Sequence, residues 1–154
     1  MVFPDIYDIG MSNLDLPILY DLLNQRSDVS AERAYSPWSD MEAALRSPPP
    51  PPYSLETKHP LAAFDILGFT LSCETLYANT LNVLDLADIP LFSAERTAEH
   101  PLVIAGGHTA YNPEPMHAFI DAFVIGESEE VIHEIIDTQQ GWRQSGWKTD
   151  MWQS

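Results

Sequence analysis

The stretch FDILGFTLSC, residues 64–73, is a nearly continuous apolar run of strand length. A strand facing water on one side would alternate apolar with polar residues, so this one reads as a central strand of a parallel sheet, buried on both faces. PLVIAGG (101–107) repeats the pattern and closes on two glycines, and DAFVIGES (121–128) is a shorter version ending at Gly126. Between the first two runs, LYANTLNVLDLADI (76–89) spaces Leu76, Thr80, Val83, Leu84 and Ala87 as one helical face. Strands alternating with helices predict an α/β, doubly wound parallel sheet with right-handed crossovers, about five strands and helices on both faces.

The flanking segments fit that frame. Met1 to Pro4 reads as the end of a first strand that the chain enters midway, and LDLPILYDLLNQ (14–25) as a helix with Leu14, Ile18 and Leu22 on one face and Asn13 as N-cap. SAERAYS (30–36) is a weak edge strand, and Pro37 and Ser39 open a short helix carrying Met41, Ala44 and Leu45. Pro48 to Pro52 lack backbone donors and have fixed φ, so they predict a polyproline spacer within a surface loop, 47–53. Ser128 is placed as N-cap of a helix over 128–138 with a Glu-rich first turn and Val131, Ile132, Ile135 and Ile136 inward. The expected division is one α/β domain over 1–138 and a peripheral helical tail over 139–154, whose Trp142, Trp147 and Trp152 cover an apolar face.

Charge and cysteine content exclude several functions. A net charge of −16, from 23 acidic and 7 basic side chains, repels phosphate backbones, and no Lys/Arg cluster reverses it locally. Direct nucleic-acid binding is therefore not expected. The single Cys73 rules out an internal disulfide and a cysteine-ligated cluster held by this chain alone, and fits a reducing cytoplasm. No apolar run is long enough to span a bilayer, and no basic region followed by an apolar segment marks a secretory signal.

In a doubly wound sheet, loops at the carboxyl ends of strands converge on one crevice, which places Asp5 to Asn13, Ser72 to Thr75 and Gly106 to Glu114 together. Gly106 and Gly107 would admit close approach of a flat or phosphorylated group, although two glycines also simply make a tight turn. His108, His117 and Glu114 lack the spacing of a metal set, and a turn with a short helix explains them better. Glu127, Glu129 and Glu130 suit a helix N-terminus on dipole grounds alone. Asn112 and Glu114, in the Pro-flanked NPEP turn, are the next polar candidates for the crevice.

The ordered segments GMSNL, IAGG…NPEP and DAFVIGESEEV, with the tail GWRQSGWKTDMW, resemble the N-terminal portion of radical SAM proteins that carry a cobalamin-binding-like domain ahead of the radical barrel. The resemblance covers essentially the whole chain and implies a flavodoxin-like, cobalamin-binding-type fold. It also implies a radical SAM barrel of the same parent chain as partner, with the 4Fe–4S cluster and S-adenosylmethionine in that downstream region. Met1 interrupting a strand supports reading the chain as the N-terminal piece of a longer enzyme. Cobalamin domains carry D-x-H-x-x-G after the first strand; here the frame is Asp5, Tyr7, Gly10, followed by Met11, Ser12 and Asn13. A neutral phenol of pKa about 10 is a poor cobalt ligand, so cobalamin would lack a protein ligand below the metal. By the same resemblance, Thr70, Ser72, Gly106 and Gly107 would meet the cofactor's buried tail, and Glu127 lies in the family's GE-x-E pattern. Two functions stay open: a cobalamin or substrate site in the crevice, or a degenerate module that packs on the barrel. A flavin or nucleotide binder is a weaker third reading, since only Ser12 resembles a phosphate loop after the first strand.

Overall fold

A computed structural model of the chain describes residues 1–46 and 51–145. Residues Pro48, Pro49 and Pro50 of the proline run, and Trp147 and Trp152 of the tail, lie outside the described residues. The elements in order are β1 (Val2–Phe3), α1 (Tyr7–Gly10), α2 (Asp15–Asn24), β2 (Ala34–Tyr35), α3 (Ser39–Leu45), β3 (Ile66–Thr70), α4 (Leu76–Leu86), β4 (Leu102–Gly106), β5 (Ala122–Phe123) and α5 (Ser128–Ser145). The five strands form one sheet in the order β2–β1–β3–β4–β5, and every neighbouring pair is parallel. This is the doubly wound, flavodoxin-like α/β arrangement expected from the alternation of runs.

The longest ladder joins the two strongest apolar runs, pairing Ile66 with Leu102 through to Thr70 with Gly106. Along β3 and the residue that follows it, side chains alternate: Leu67, Phe69 and Leu71 are buried, whereas Ile66, Gly68 and Thr70 are only half-buried. Burial on both faces therefore does not hold. The closed face packs with Leu76, Val83 and Leu84 of α4 and with Val103, Ala105, Met116 and Ile120 in the main core cluster. The other face lies under α2 and α5, which touch each other but leave the middle of the sheet partly uncovered.

Helix faces also differ from the simplest periodicity. Leu16 and Leu23 are the buried residues of α2, while Leu14 and Ile18 are 74% and 48% exposed. This helix is apolar around most of its circumference, so spacing admits two faces, and contact with the sheet selects Leu16 and Leu23. Asn13 does cap the helix, because its Oδ1 accepts from Asp15 N at 3.1 Å and Leu16 N at 3.2 Å. On α5, Ile136 is buried and Ile132 and Ile135 are half-buried, but Val131 is exposed. α5 runs without a break past residue 138 to Ser145.

α3 contributes no buried residue; Met41 and Ala44 face solvent. Polar contacts hold it instead, with Arg46 donating to Asp85 Oδ2 at 2.9 Å and Asn82 Oδ1 at 2.6 Å on α4. At the amino ends of β4 and β5, buried Arg96 donates to Asp121, Pro90 O, Leu91 O and Phe119 O, while Asp121 Oδ2 also accepts from Val103 N. That network satisfies both charges and fixes where β5 begins. Among the described residues, no helix is long and apolar enough to cross a membrane.

Candidate functional site

Uneven cover over the sheet creates a groove of about 360 Å³ between α2 and α5, at the carboxyl ends of β3, β4 and β5. Thr70 and Ser72 reach it from the end of β3, Gly106 and Gly107 from the end of β4, and Val124, Gly126 and Glu127 from the segment after β5. α2 contributes Asp15, Ile18 and Leu19, α5 contributes Ser128, Glu129 and Ile132, and the short turn after β4 contributes His108 and Tyr111. A smaller cavity of about 160 Å³ continues along the sheet toward the amino ends, sharing Met1, Gly68, Ile104 and Ile132 with the groove.

The turn after β4 owes its shape to Gly107, which has φ +102° and where a Cβ would stand 2.8 Å from Leu71 O. Leu71 O is already occupied, accepting from Thr109 N at 3.1 Å and Thr109 Oγ1 at 3.0 Å. Only glycine admits both that dihedral and that approach. Gly106 differs, since a Cβ there would meet Val124 at an ordinary 3.6 Å. Gly107 is thus explained by the turn itself, and Gly106 keeps the groove wall low.

The amino-end cavity is pinned by ion pairs. Arg26 Nη2 donates to Asp28 Oδ2 at 2.8 Å and to Asp137 Oδ1 on α5 at 2.6 Å, and Gln140 Nε2 donates to Asp28 at 3.1 Å. Hydrogen bonds from Arg26 and then Gln140 hold the Asp28 carboxyl well below the usual carboxylate range. Burial pushes buried Glu32 up, but hydrogen bonds from Ser54 and Thr57 outweigh it and leave its pKa lowered. The carboxyl-end groove has no such pairing: among the described residues, the side chains of Asp15, Glu127 and Glu129 have no hydrogen-bond or ion-pair partner.

Of the thirteen residues singled out from sequence, Thr70, Ser72, Gly106, Gly107 and Glu127 line the groove. The segment after β1 lies elsewhere. Asp5 Oδ1 accepts from the adjacent Ile6 N at 2.8 Å, and Asp5 lines a separate surface pocket beside Trp38 and Asn79. Tyr7 is 50% exposed, its ring edge-on to Tyr35 with centroids 5.2 Å apart. Gly10 backs onto the same tyrosine, where a Cβ would be 2.6 Å from the ring, so close packing explains it. Met11 is exposed, and Ser12 Oγ donates to Ile9 O at 2.8 Å. Asn13 is occupied as the α2 cap. Asn112 closes the turn by donating its N–H to Thr109 O, and exposed Glu114 offers its carbonyl to His117 Nδ1 at 2.7 Å; neither lines the groove.

Sequence reasoning passed over Asp15, Ile18 and Leu19 as wall residues. Their signal was positional, because the first turn of the helix after β1 borders the crevice in this strand order. Among the described residues, no three His, Cys, Asp or Glu side chains are grouped to hold a metal ion. Cys73 is exposed, with Sγ 3.0 Å from Thr75 Oγ1. The donor set does not fit a cobalamin held through a protein ligand: Tyr7 occupies the histidine position of the frame and lies outside the groove.

No curated protein and no solved structure gives a significant match to the chain. A family model described as "Radical SAM proteins, N-terminal" matches residues 15–153, which takes in α2, the β3–β4 ladder, α5 and every groove-lining residue but Met1. With nine-tenths of the sequence inside that match, the chain belongs to the family of N-terminal domains of radical SAM proteins.

Proposed function

We propose that this domain serves a radical SAM enzyme by holding a ligand, either the substrate or a cobalamin without a protein ligand, in the groove between α2 and α5. It is an accessory domain and not catalytic by itself. The 4Fe–4S cluster and S-adenosylmethionine belong to the radical SAM domain, whose chemistry needs more thiolates than the single Cys73 supplies. A reducing cytoplasm suits that cluster and the free, exposed thiol here. One observation carries the reading. The groove lies where ligands bind in open parallel sheets, and its volume of about 360 Å³ falls within the range of small-molecule sites.

A second reading, a module that only packs against the radical SAM barrel, draws on the exposed apolar residues around the carboxyl-end rim. Met11 and Leu14 follow β1, Trp38 follows β2, Tyr111 follows β4 and Ile125 follows β5, and all are exposed. Apolar groups gathered on one rim favour burial against another surface.

Hydroxocobalamin titration followed by absorbance, on the native chain and on Tyr7→His, separates the readings. Saturable change of the corrin bands in the native chain supports a cobalamin site. Because Tyr7 stands outside the groove, the variant should show the same unligated spectrum as the native chain. Absence of any change in both, with no other small molecule shifting the groove amides, leaves the packing module.

A further inference from the structure

We infer that the amino-end cavity is a second binding site, one that takes an uncharged apolar group carrying a carboxamide or a like donor–acceptor pair. The inference stands on that cavity alone and does not depend on what the carboxyl-end groove holds. Its main support is Gln139. On α5, Ile132, Ile136 and Gln139 follow the spacing of an inward face, so the glutamine occupies a position where the pattern calls for a further apolar side chain. Gln139 is only 9% exposed and lines the cavity, and among the described residues no hydrogen bond reaches its side chain. Its neighbour Gln140 is half-buried and has a partner, donating to Asp28 Oδ2 at 3.1 Å.

A buried primary amide holds two N–H donors and a carbonyl acceptor, and burying them without partners opposes folding. Leucine at this position would fill space and remove that cost, so the amide is better explained by a group that enters the cavity and pairs with it. The cavity of about 160 Å³ has room for a group of benzene size or slightly more. Its walls include Leu23, Phe64, Ile66, Ile104 and Ile136, and Gly68 keeps the floor low, since a Cβ there would meet only Ile104, at 3.7 Å. Charge is disfavoured. Among the described residues no lysine or arginine lines the cavity, and its carboxylates are engaged: Asp28 with Arg26 and Gln140, Glu32 with Thr57, and Asp65 as well. A charged group would lose its hydration with no side chain free to pair with it, whereas a neutral amide would trade a donor and an acceptor with Gln139.

The test is an amide-shift titration of the isotope-labelled full chain with benzamide, toluene and benzoate. The reporters are the Gln139 side-chain amide and the backbone amides of Ala31 and Ile66, which line this cavity and not the groove. Expected are saturable shifts with benzamide, binding about tenfold tighter than toluene, and none with benzoate. Gln139→Leu should bring benzamide down to the affinity of toluene, with a melting temperature equal to or above that of the native chain, because it removes an unpartnered amide. Gly68→Val, which fills the floor, should weaken both compounds together. No shift with benzamide, equal affinity for benzamide and toluene in the native chain, or benzamide binding unchanged by Gln139→Leu overturns the inference. So does benzoate binding at the same reporters, and so does a lowered melting temperature of Gln139→Leu, which would reveal a structural partner for the amide. Shifts confined to Gly106, Gly107 and Gly126 would put the compound in the carboxyl-end groove, overturning this site while leaving the groove reading in place.

Discussion

The two faces of the sheet are built from alternate residues of the same strands, yet they end differently. Leu67, Phe69 and Leu71 on one face are shut in by α4, together with Val103 and Ala105 of the neighbouring strand. Ile66, Gly68 and Thr70 on the other face a trough between α2 and α5. The closed side carries the bulk of the core, so it fixes the fold and leaves the open side free to vary in shape. Even within the trough the two ends differ: the Arg26 network ties α2 to α5 at the amino end, while carboxylates without a partner among the described residues mark the carboxyl end.

The sharpest way to break this comparison is to truncate one side chain on each face. Phe69→Ala, on the closed face, should destabilise the chain by about 3–5 kcal/mol, as expected for deleting a buried aromatic ring. Ile66→Ala, three positions earlier on the half-open face, should cost clearly less, because water already reaches that side. Urea unfolding of the two variants measures both, and equal losses would mean that the trough is closed in solution. Next in size come the paired glycines at the end of β4. Gly107→Ala should lose roughly 2–3 kcal/mol through its left-handed φ and the approach to Leu71 O. Gly106→Ala should lose under about 1 kcal/mol, its Cβ meeting only ordinary contact, and show its effect on ligand binding instead.

The pairing of the strands was legible in the sequence, whereas the contrast between their two faces was not, for physical reasons. The β3 and β4 runs announced a central parallel pair because strand-length apolar segments have few other places to go, and they paired as expected. Their continuity could not reveal how completely helices would cover each face, because that depends on where α2 and α5 settle. The buried face of α2 escapes the sequence for the same reason: Leu14 and Leu16 are equally apolar, and only the sheet distinguishes them. Along the groove, Ser72 and Gly106 were legible from the rule that loops at strand ends converge, whereas Thr70 came only with the family resemblance. Asp5 to Asn13 obeyed a local rule instead, curling into a helical turn whose glycine packs on Tyr35, and so left the groove to α2.

A smaller effect should come from acid. Asp28, hydrogen-bonded by Arg26 and Gln140, and Glu32, hydrogen-bonded by Ser54 and Thr57, both have folded pKa values below their ordinary ones. As pH falls, the unfolded chain takes up these protons before the folded chain does, so the stability they contribute is complete above about pH 5 and is lost on going lower. The part of the urea midpoint that these two carboxylates carry should therefore decline below about pH 4. Arg26→Gln should lower the midpoint slightly at neutral pH and flatten the acid limb, because Asp28 then returns toward its usual pKa. An acid limb unchanged by that substitution would remove the Arg26 network as the pin between α2 and α5.

The smallest expected change is also the most selective. Gly68 sits in the middle of β3 on the open face, and a Cβ there would meet only the Ile104 side chain, at 3.7 Å. Gly68→Ala should therefore stabilise the chain by about 0.4–1 kcal/mol, since alanine fits the strand and restricts the unfolded chain more than glycine does. Gly68→Val, reaching further into the trough, should leave the fold intact while narrowing the space that the groove and the smaller cavity share. A native-like melting temperature with weakened binding of groove ligands would show that the open face is kept open for what it holds. A loss of stability as large as that of Phe69→Ala would show instead that the two faces are equally packed, and the distinction between them would collapse.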